Sequence, residues 1–598
     1  MNINIILGAL LVVLLATPAI AQSPLSFIPR DAYMVGELDF PHFERKADID
    51  AIMQLGVMRM MTREMERNMG GSGGDMSTPQ QMLANFGVDL NRKMYMYVAP
   101  AKVNRKRVMT IGFVVPVQDG AKLMDFRRST ANQASRDKYP AKTMGTLKYF
   151  ADADGFFALG SEYALIGAVE VPYGLERNPD FDADPVLQFD IDMEDGNRQQ
   201  AAAAKAIPML LKLDRSNTIQ VNTQYSAANV GTHDLKLWVD QAFAGDLQGM
   251  MSGSSSGYVD PTQKVMQDAL MKLYENSSTS MGLNFNQGNI RLNVNNLMNP
   301  VVADAAEEMF DTKLNKRFMK YLPENTLMYF SMALDPEGTV EGFDKIGNTL
   351  LKDTPFKQYY QPTVDLLDIF LDEDEIYDLW TGSVVVALTG VNNQEITYMT
   401  YEYDEDFNRI EVEKTSRQPV PNILVMLSYG DEENTKKFMK LGLSSGFLKQ
   451  EGLNRYSVQQ IPDMPAGIDL YVGLHKGVMI VTNDRDLVMT RLETGVTARL
   501  AKDQQKLLRK NSSVLRVNVP ELYQAVADAA GPMLPSDPQM TNIGKQTIRT
   551  ITVKTGNVVN DRALPSTYEV EFFDQNTNAL QVLLQLADSI MGGSGSNM

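Results

Sequence analysis

The 598-residue chain carries 56 Lys+Arg against 74 Asp+Glu, a formal net charge of −18, with 44% apolar and 22% charged residues. Those proportions are ordinary for a folded globular protein. The absence of cysteine excludes thiol nucleophiles, disulfides, Cys-ligated zinc, iron–sulfur clusters and c-type haem attachment. The acidic balance argues against nucleic acid or an anionic membrane surface as the main partner, because phosphate recognition needs clustered Lys/Arg.

The first element is an apolar run at 5–16 (IILGALLVVLLA), too short to cross a bilayer core of about 30 Å as a helix. Pro18 and the small-x-small triplet Ala19-Ile20-Ala21 follow, then the polar pair Gln22-Ser23. This is the layout of a cleaved secretory signal peptide over 1–21, although the leading Met-Asn-Ile-Asn has no Lys or Arg. A soluble mature chain is expected, with no transmembrane anchor after cleavage. Without cysteine there is no lipidation site, so the expected location is periplasmic or extracellular and not that of a lipoprotein. An exported chain without disulfides fits a bacterial envelope.

The mature chain reads as two tandem halves, 22–312 and 313–598, related by internal duplication. Phe27-Ile28-Pro29-Arg30-Asp31-Ala32-Tyr33-Met34 returns 294 residues later as Tyr321-Leu322-Pro323-Glu324-Asn325-Thr326-Leu327-Met328. The run at 93–98 (KMYMYV) corresponds to 383–388 (SVVVAL). The strand and helix start at 108–126 correspond to 423–438, each with an Asp N-cap (Asp119, Asp431) and a Phe expected on the buried face (Phe126, Phe438). Two further matches set 155–165 (GFFALGSEYAL) on 477–487 (GVMIVTNDRDL), and 186–191 (VLQFDI) on 514–519 (VLRVNV). Both halves close with an alternating hairpin, at 281–294 and 549–572. Strands joined by short turns, with clustered helices, imply an α+β fold with mostly antiparallel sheets. The second half carries an insertion, 396–412 (ITYMTYEYDEDFNRIEV), read as a protruding β-hairpin. Gly/Ser/Met stretches at 69–76, 249–257 and the tail 592–598 are expected to be mobile.

Three segments carry a family resemblance: Ile28-Pro29-Arg30-Asp31-Ala32, the helix end and strand at 379–388 (LWTGSVVVAL), and 578–584 (NALQVLL). They resemble a family of exported Bacteroidota proteins, a domain of unknown function whose members are commonly lipoproteins. The chain departs from it in having no cysteine to lipidate. The resemblance implies export and the fold, and supplies no activity.

No reactive constellation stands out. Two G-x-S-x-G strings, 70–74 and 253–257, lie in low-complexity stretches with no strand before them, unlike a nucleophile elbow. His42, His233 and His475 are far apart in sequence, so no metal centre and no cofactor is expected. The acidic run at 151–155 (ADADG) fails calcium-loop spacing. Asp190 and Asp192 read as a solvated strand face, and 372–375 (DEDE) as helix N-capping. With 37 methionines the chain is Met-rich, and Met53, Met58, Met61, Met65 and Met69 recur at near-helical spacing, suited to adaptable packing. Functional surface is expected to be unique to one half. Met58, Met61, Met65 and Met69, with Tyr398, Tyr401 and Tyr403 of the insertion, form the expected interaction surface for a protein, peptide or glycan. The expected function is a non-enzymatic exported binding or scaffold protein of the cell envelope. A carboxylate-dependent polysaccharide hydrolase and a surface-assembly protein are the alternatives.

Overall fold

The structure, a computed structural model, describes residues 23–56, 58, 84, 86–103, 106–130, 141–144, 147–152, 155–170, 215–228, 230–241, 243, 261–310, 313–352, 354–370, 377, 379–404, 407–459, 469–530, 543–558 and 562–594. The signal-like segment, Met61, Met65, Met69, Asp190, Asp192, both G-x-S-x-G strings, the acidic run at 372–375 and the match at 186–191 lie outside the described residues. The fold is α+β, as expected. Two compact units divide the chain: Met1–Arg45, Ile49–Val259 and Ser278–Ser280 form the first, and Lys46–Asp48, Asp260–Ser277 and Met281–Met598 the second. These compact units divide the chain near 259.

The first unit contains β1 (Met34–Leu38), α1 (Phe40–Glu44), β2 (Met94–Val103), β3 (Lys106–Pro116), α2 (Gly120–Thr130), β4 (Lys142–Met144), β5 (Leu147–Asp152), β6 (Gly155–Leu159), β7 (Tyr163–Glu170) and β8 (Leu235–Asp240). Pairing is antiparallel throughout, in the order β8–β1–β2–β3–β7–β6–β5–β4. Alternation sets one face of each strand inward, so Val35, Tyr95, Tyr97, Val114 and Trp238 share a core. Gly112 sits under the Tyr97 ring, where an added Cβ would come within 2.4 Å of ring carbons.

The second unit opens with α3 (Pro261–Tyr274), β9 (Ser278–Phe285, of which Ser278–Ser280 belong to the first unit), β10 (Asn289–Leu297) and α4 (Pro300–Phe310). Next come β11 (Met328–Ala333), α5 (Pro336–Leu351), α6 (Lys357–Phe370), β12 (Ser383–Tyr403), β13 (Arg409–Ser428) and α7 (Glu432–Ser444). Then follow β14 (Leu448–Gly452), β15 (Arg455–Val458), β16 (Tyr471–His475), β17 (Val478–Thr482), α8 (Lys502–Lys510), β18 (Ser513–Asn518), α9 (Val519–Ala530), β19 (Ile548–Thr555), β20 (Ala563–Phe572) and α10 (Ala579–Ser594). Residues 592–594 of the expected mobile tail thus belong to α10. The strand order is β10–β20–β19–β18–β11–β12–β13–β17–β16–β15–β14, again antiparallel, with β9 beside β10. Tyr329, Val385, Leu424, Ile480 and Val514 form its inner face.

From β18 to β14 this order repeats β8 to β4 strand for strand. The agreement extends to register and to single hydrogen bonds. Met34 pairs with Val98 as Met328 pairs with Leu388. Ile219 N–H donates to the Ile28 carbonyl at 2.9 Å, and Leu500 N–H to the Leu322 carbonyl at 3.1 Å. Arg30 N–H donates to Asn217, and Glu324 N–H to Ala498. The motif Ile28-Pro29-Arg30-Asp31-Ala32 is thereby structural, with Ile28 and Ala32 fully buried.

Two sequence matches need correction. The segment at 155–165 covers β6, whose counterpart by pairing is β16, not the β17 to which it was matched. The counterpart of β18 is β8, not 186–191. In an antiparallel meander each strand carries the same alternating pattern, so an alignment on apolar residues slides by one strand at little cost.

Candidate functional site

The expected hairpin is present, as the distal part of β12 and β13. β11 pairs with β12 only over 383–388, and β17 with β13 only over 424–428. After a bulge between Leu388 and Gly390 the two strands pair only with each other among the described residues, from Gly390↔Asn422 out to Tyr403↔Arg409. At about 3.4 Å per residue this free ribbon is about 45 Å long. The corresponding pair β2–β3 ends at Val103↔Lys106 and has no such extension.

The turn is closed by Asp404. Its carboxylate accepts from Asn408 N–H at 2.8 Å, and its carbonyl from Phe407 N–H at 3.0 Å. Phe407 takes a left-handed φ of 62° and is 85% exposed at the tip. An aromatic side chain gains nothing for the fold by standing there in strained backbone.

Strand alternation sorts the expected tyrosines. Met399, Tyr401 and Tyr403 share one face, opposite Glu413, Glu411 and Arg409, while Tyr398 lies on the other face opposite Lys414. Exposure is 60% at Met399, 50% at Tyr401 and 71% at Tyr403. The Arg409 guanidinium lies 3.4 Å from the centre of the Tyr401 ring, an aromatic-cation contact made in the open. Glu395–Arg417 and Glu402–Lys414 ion pairs cross the ribbon. Such charges discourage indiscriminate edge pairing and leave the aromatic row as the adhesive part. Of the methionine set, Met58 is helical and half-buried.

The first unit holds a polar cluster that sequence reasoning missed. Glu37 on β1 points to the core side, opposite Tyr95 and Lys236. Its Oε1 accepts from Lys93 Nζ at 2.5 Å and from His233 Nε2 at 3.0 Å. Lys93 also meets Asp39 at 3.1 Å. One step along, buried Asp234 meets His42 Nδ1 at 2.8 Å. The two histidines, expected to be isolated, are each held by a carboxylate at neighbouring ends of β1 and β8. Burial alone would raise the Glu37 carboxyl, but the hydrogen bonds and charges of His233 and Lys93 outweigh it and hold the group at about 2. A carboxylate ionised at every physiological pH is a poor proton donor, and its Oε1 already accepts two hydrogen bonds. Burial, aided by the Glu37 charge, raises the Tyr95 hydroxyl. Burial also lowers Lys236, against the pull of Glu37. No hydroxyl nucleophile bonds to His42 or His233 among the described residues, and no group of three or more metal-ligating side chains occurs among them. The cluster ties β1, β2 and β8 together.

No family model and no curated protein matches the chain. Among solved structures it is similar to "Structure of crystal form IV of TP0453" at 8% identity, over 46% of this chain and 80% of that one, with a TM-score of 0.23. No described helix is long and apolar enough to cross a membrane.

Proposed function

We propose that this protein is an exported, non-enzymatic binding protein of the bacterial cell envelope, whose β12–β13 ribbon engages a protein partner. The observation that carries the reading is the ribbon itself: two strands that leave the sheet and hold Met399, Tyr401, Tyr403 and Phe407 in solvent. An isolated two-stranded hairpin is marginal in water, so its length and exposed aromatics are costs that a bound partner offsets. Glu402, Glu411 and Glu413 outnumber the nearby Lys414 and Arg409, which favours a partner surface that is both apolar and basic. Export rests on the segment at 5–21 and on the resemblance to exported Bacteroidota proteins. The matching strand orders support internal duplication, with the ribbon added to one half only.

Replacing 391–421 with a two-residue Asn-Gly turn tests this. The shortened protein is expected to keep its melting temperature within about 3 °C and to lose a photo-crosslinked partner that the intact protein captures through Tyr401. Robust hydrolysis of an envelope glycan, lost on changing one Asp or Glu, would promote the hydrolase reading instead. Concentration-dependent dimers that vanish with the ribbon would favour surface assembly by strand addition from a second copy.

A further inference from the structure

We propose that the second unit contains a binding site for a compact polyanion, a ligand with clustered phosphate or sulfate groups. The site is a cleft of about 860 Å³ between the end of α8 and the segment entering the 3-10 turn Lys316–Lys320. Lys506, Arg509 and Lys510 line one side, and Lys313 and Lys316 another. Among the described residues no acidic side chain lines it. None of the five cations makes an ion pair among the described residues. Elsewhere in the same unit Lys345, Lys414, Lys436 and Arg491 each meet a carboxylate. In a chain with 74 acidic residues, five cations around one cleft, without an ion pair among the described residues, are a concentration of like charge that folding alone does not favour. The dipole at the α8 C-terminus accounts for Arg509 and Lys510. It does not account for Lys506 a turn earlier, nor for Lys313 and Lys316 on a different element.

The frame around the charges is fixed. Lys506 and Lys510 stand four apart on α8, while Leu508 is fully buried. Asn511 Nδ2 donates to the Leu507 carbonyl at 2.7 Å, closing the helix end. Asn315 N–H donates to Ser383 Oγ at 3.1 Å, and the Asn315 side chain accepts from Arg317 N–H at 3.0 Å, pinning the backbone between Lys313 and Lys316. Leu314, 5% exposed, gives the cleft an apolar lining. Such a volume matches small-molecule sites of about 300–1,000 Å³ and far exceeds one phosphate ion. The cations come from two short segments around one cleft, not from a long stripe, which favours a compact ligand over a nucleic-acid strand. The corresponding stretch of the first half, 222–232 (NTQYSAANVGT), has no Lys or Arg, so the feature belongs to one half and is no requirement of the fold. Neither this reading nor the ribbon reading rests on the other.

Titration calorimetry of the full chain with inorganic tripolyphosphate, at about 150 mM salt where exposed charges are screened beyond about 8 Å, tests the site. One saturable site is expected. The K506Q/K510Q variant should weaken binding at least about tenfold, while K506R/K510R and the distant K440Q should not. All variants should melt with the parent protein. Vesicles of phosphatidylcholine with and without phosphatidylglycerol separate the ligand sources. Pelleting with the anionic vesicles that K506Q/K510Q abolishes assigns the site to a lipid headgroup. Tripolyphosphate binding without pelleting assigns it to a free anion, and both outcomes support the proposal. It is overturned by no saturable tripolyphosphate binding, by equal binding in K506Q/K510Q, or by tighter binding to single-stranded DNA of matched charge.

Discussion

Glu37 shows how a carboxylate on the core side of a sheet becomes a fastening instead of a reagent. Its group, ordinarily near 4.5, is held at about 2 because His233 and Lys93 outweigh the cost of burial. A carboxylate depressed on folding contributes stability that is complete above pH 4.5 and disappears as the pH falls through 2. Glu37→Gln is therefore expected to destabilise the protein at pH 7 by about 2–3 kcal/mol. The gap from the parent should narrow between pH 4.5 and 2 in urea titrations monitored at the Trp238 fluorescence. A gap that persists at pH 2 would assign the effect to packing. The cluster was not legible in the sequence because His42 and Asp234 meet only through β1–β8 pairing, and the strand taken as the counterpart of β18 was the wrong one. Phe407 lies within the insertion that the sequence marks, but nothing in the sequence shows its left-handed backbone. Phe407→Gly relieves that strain and is expected to leave stability equal or raised by up to about 1 kcal/mol, while weakening partner capture. A loss of stability would show that the ring serves the fold.

At the scale of elements, strands and caps were the most legible parts. Asp119 and Asp431 do begin helices, and Asp431 caps Asn434 N–H at 2.7 Å, but Phe438, expected on the buried face, is 55% exposed, and Thr435 and Met439 are buried instead. The 396–412 insertion was recognisable because Tyr and Thr alternate around an acidic turn, the pattern of a strand pair with both faces wet. Its true extent was not. The free ribbon begins at Gly390 and ends at Asn422, because the strands that flank its base stop at Leu388 and Leu424, and partner strands leave no mark on the sequence of the strand they flank. The glycine in 379–388 has a physical reason. Gly382 has a φ of 85°, and a Cβ there would lie 1.6 Å from the Leu334 carbonyl oxygen. Gly382→Ala is expected to cost about 2–4 kcal/mol, read as a lowered urea midpoint. A neutral result would mean that the β11–β12 junction yields easily. The basic cleft was hidden by averaging: a net charge of −18 says nothing of where 313–320 (KLNKRFMK) and 499–510 (RLAKDQQKLLRK) come together.

At the scale of the whole molecule, the repeat seen in the sequence and the units seen in the fold do not share a boundary, and hydrogen bonding explains why. The pairs from β8 to β4 join all the described strands from β1 to β8 to one another. The hairpin that closes the first half behaves otherwise: β10 pairs with β20 over nine positions, from Asn289↔Glu571 to Leu297↔Ala563. Cutting at 312, where sequence similarity places the division, leaves β10 with an open edge lined by Ile290, Leu292 and Val294. Cutting at 259 leaves every pairing from β8 to β4 intact and removes only Ser278–Ser280 from the first unit. The fragment 23–259 is accordingly expected to be monomeric by size-exclusion chromatography, with a β-rich circular dichroism spectrum and a cooperative melt. The fragment 23–312, although longer and a complete sequence half, is expected to associate, because an unpaired apolar strand edge recruits other chains. Restoring 543–594 in trans should return it to a defined complex by supplying β20. A monomeric 23–312 fragment beside an unfolded 23–259 fragment would show that the β9–β10 hairpin stabilises the first half and that the β10–β20 ladder is dispensable.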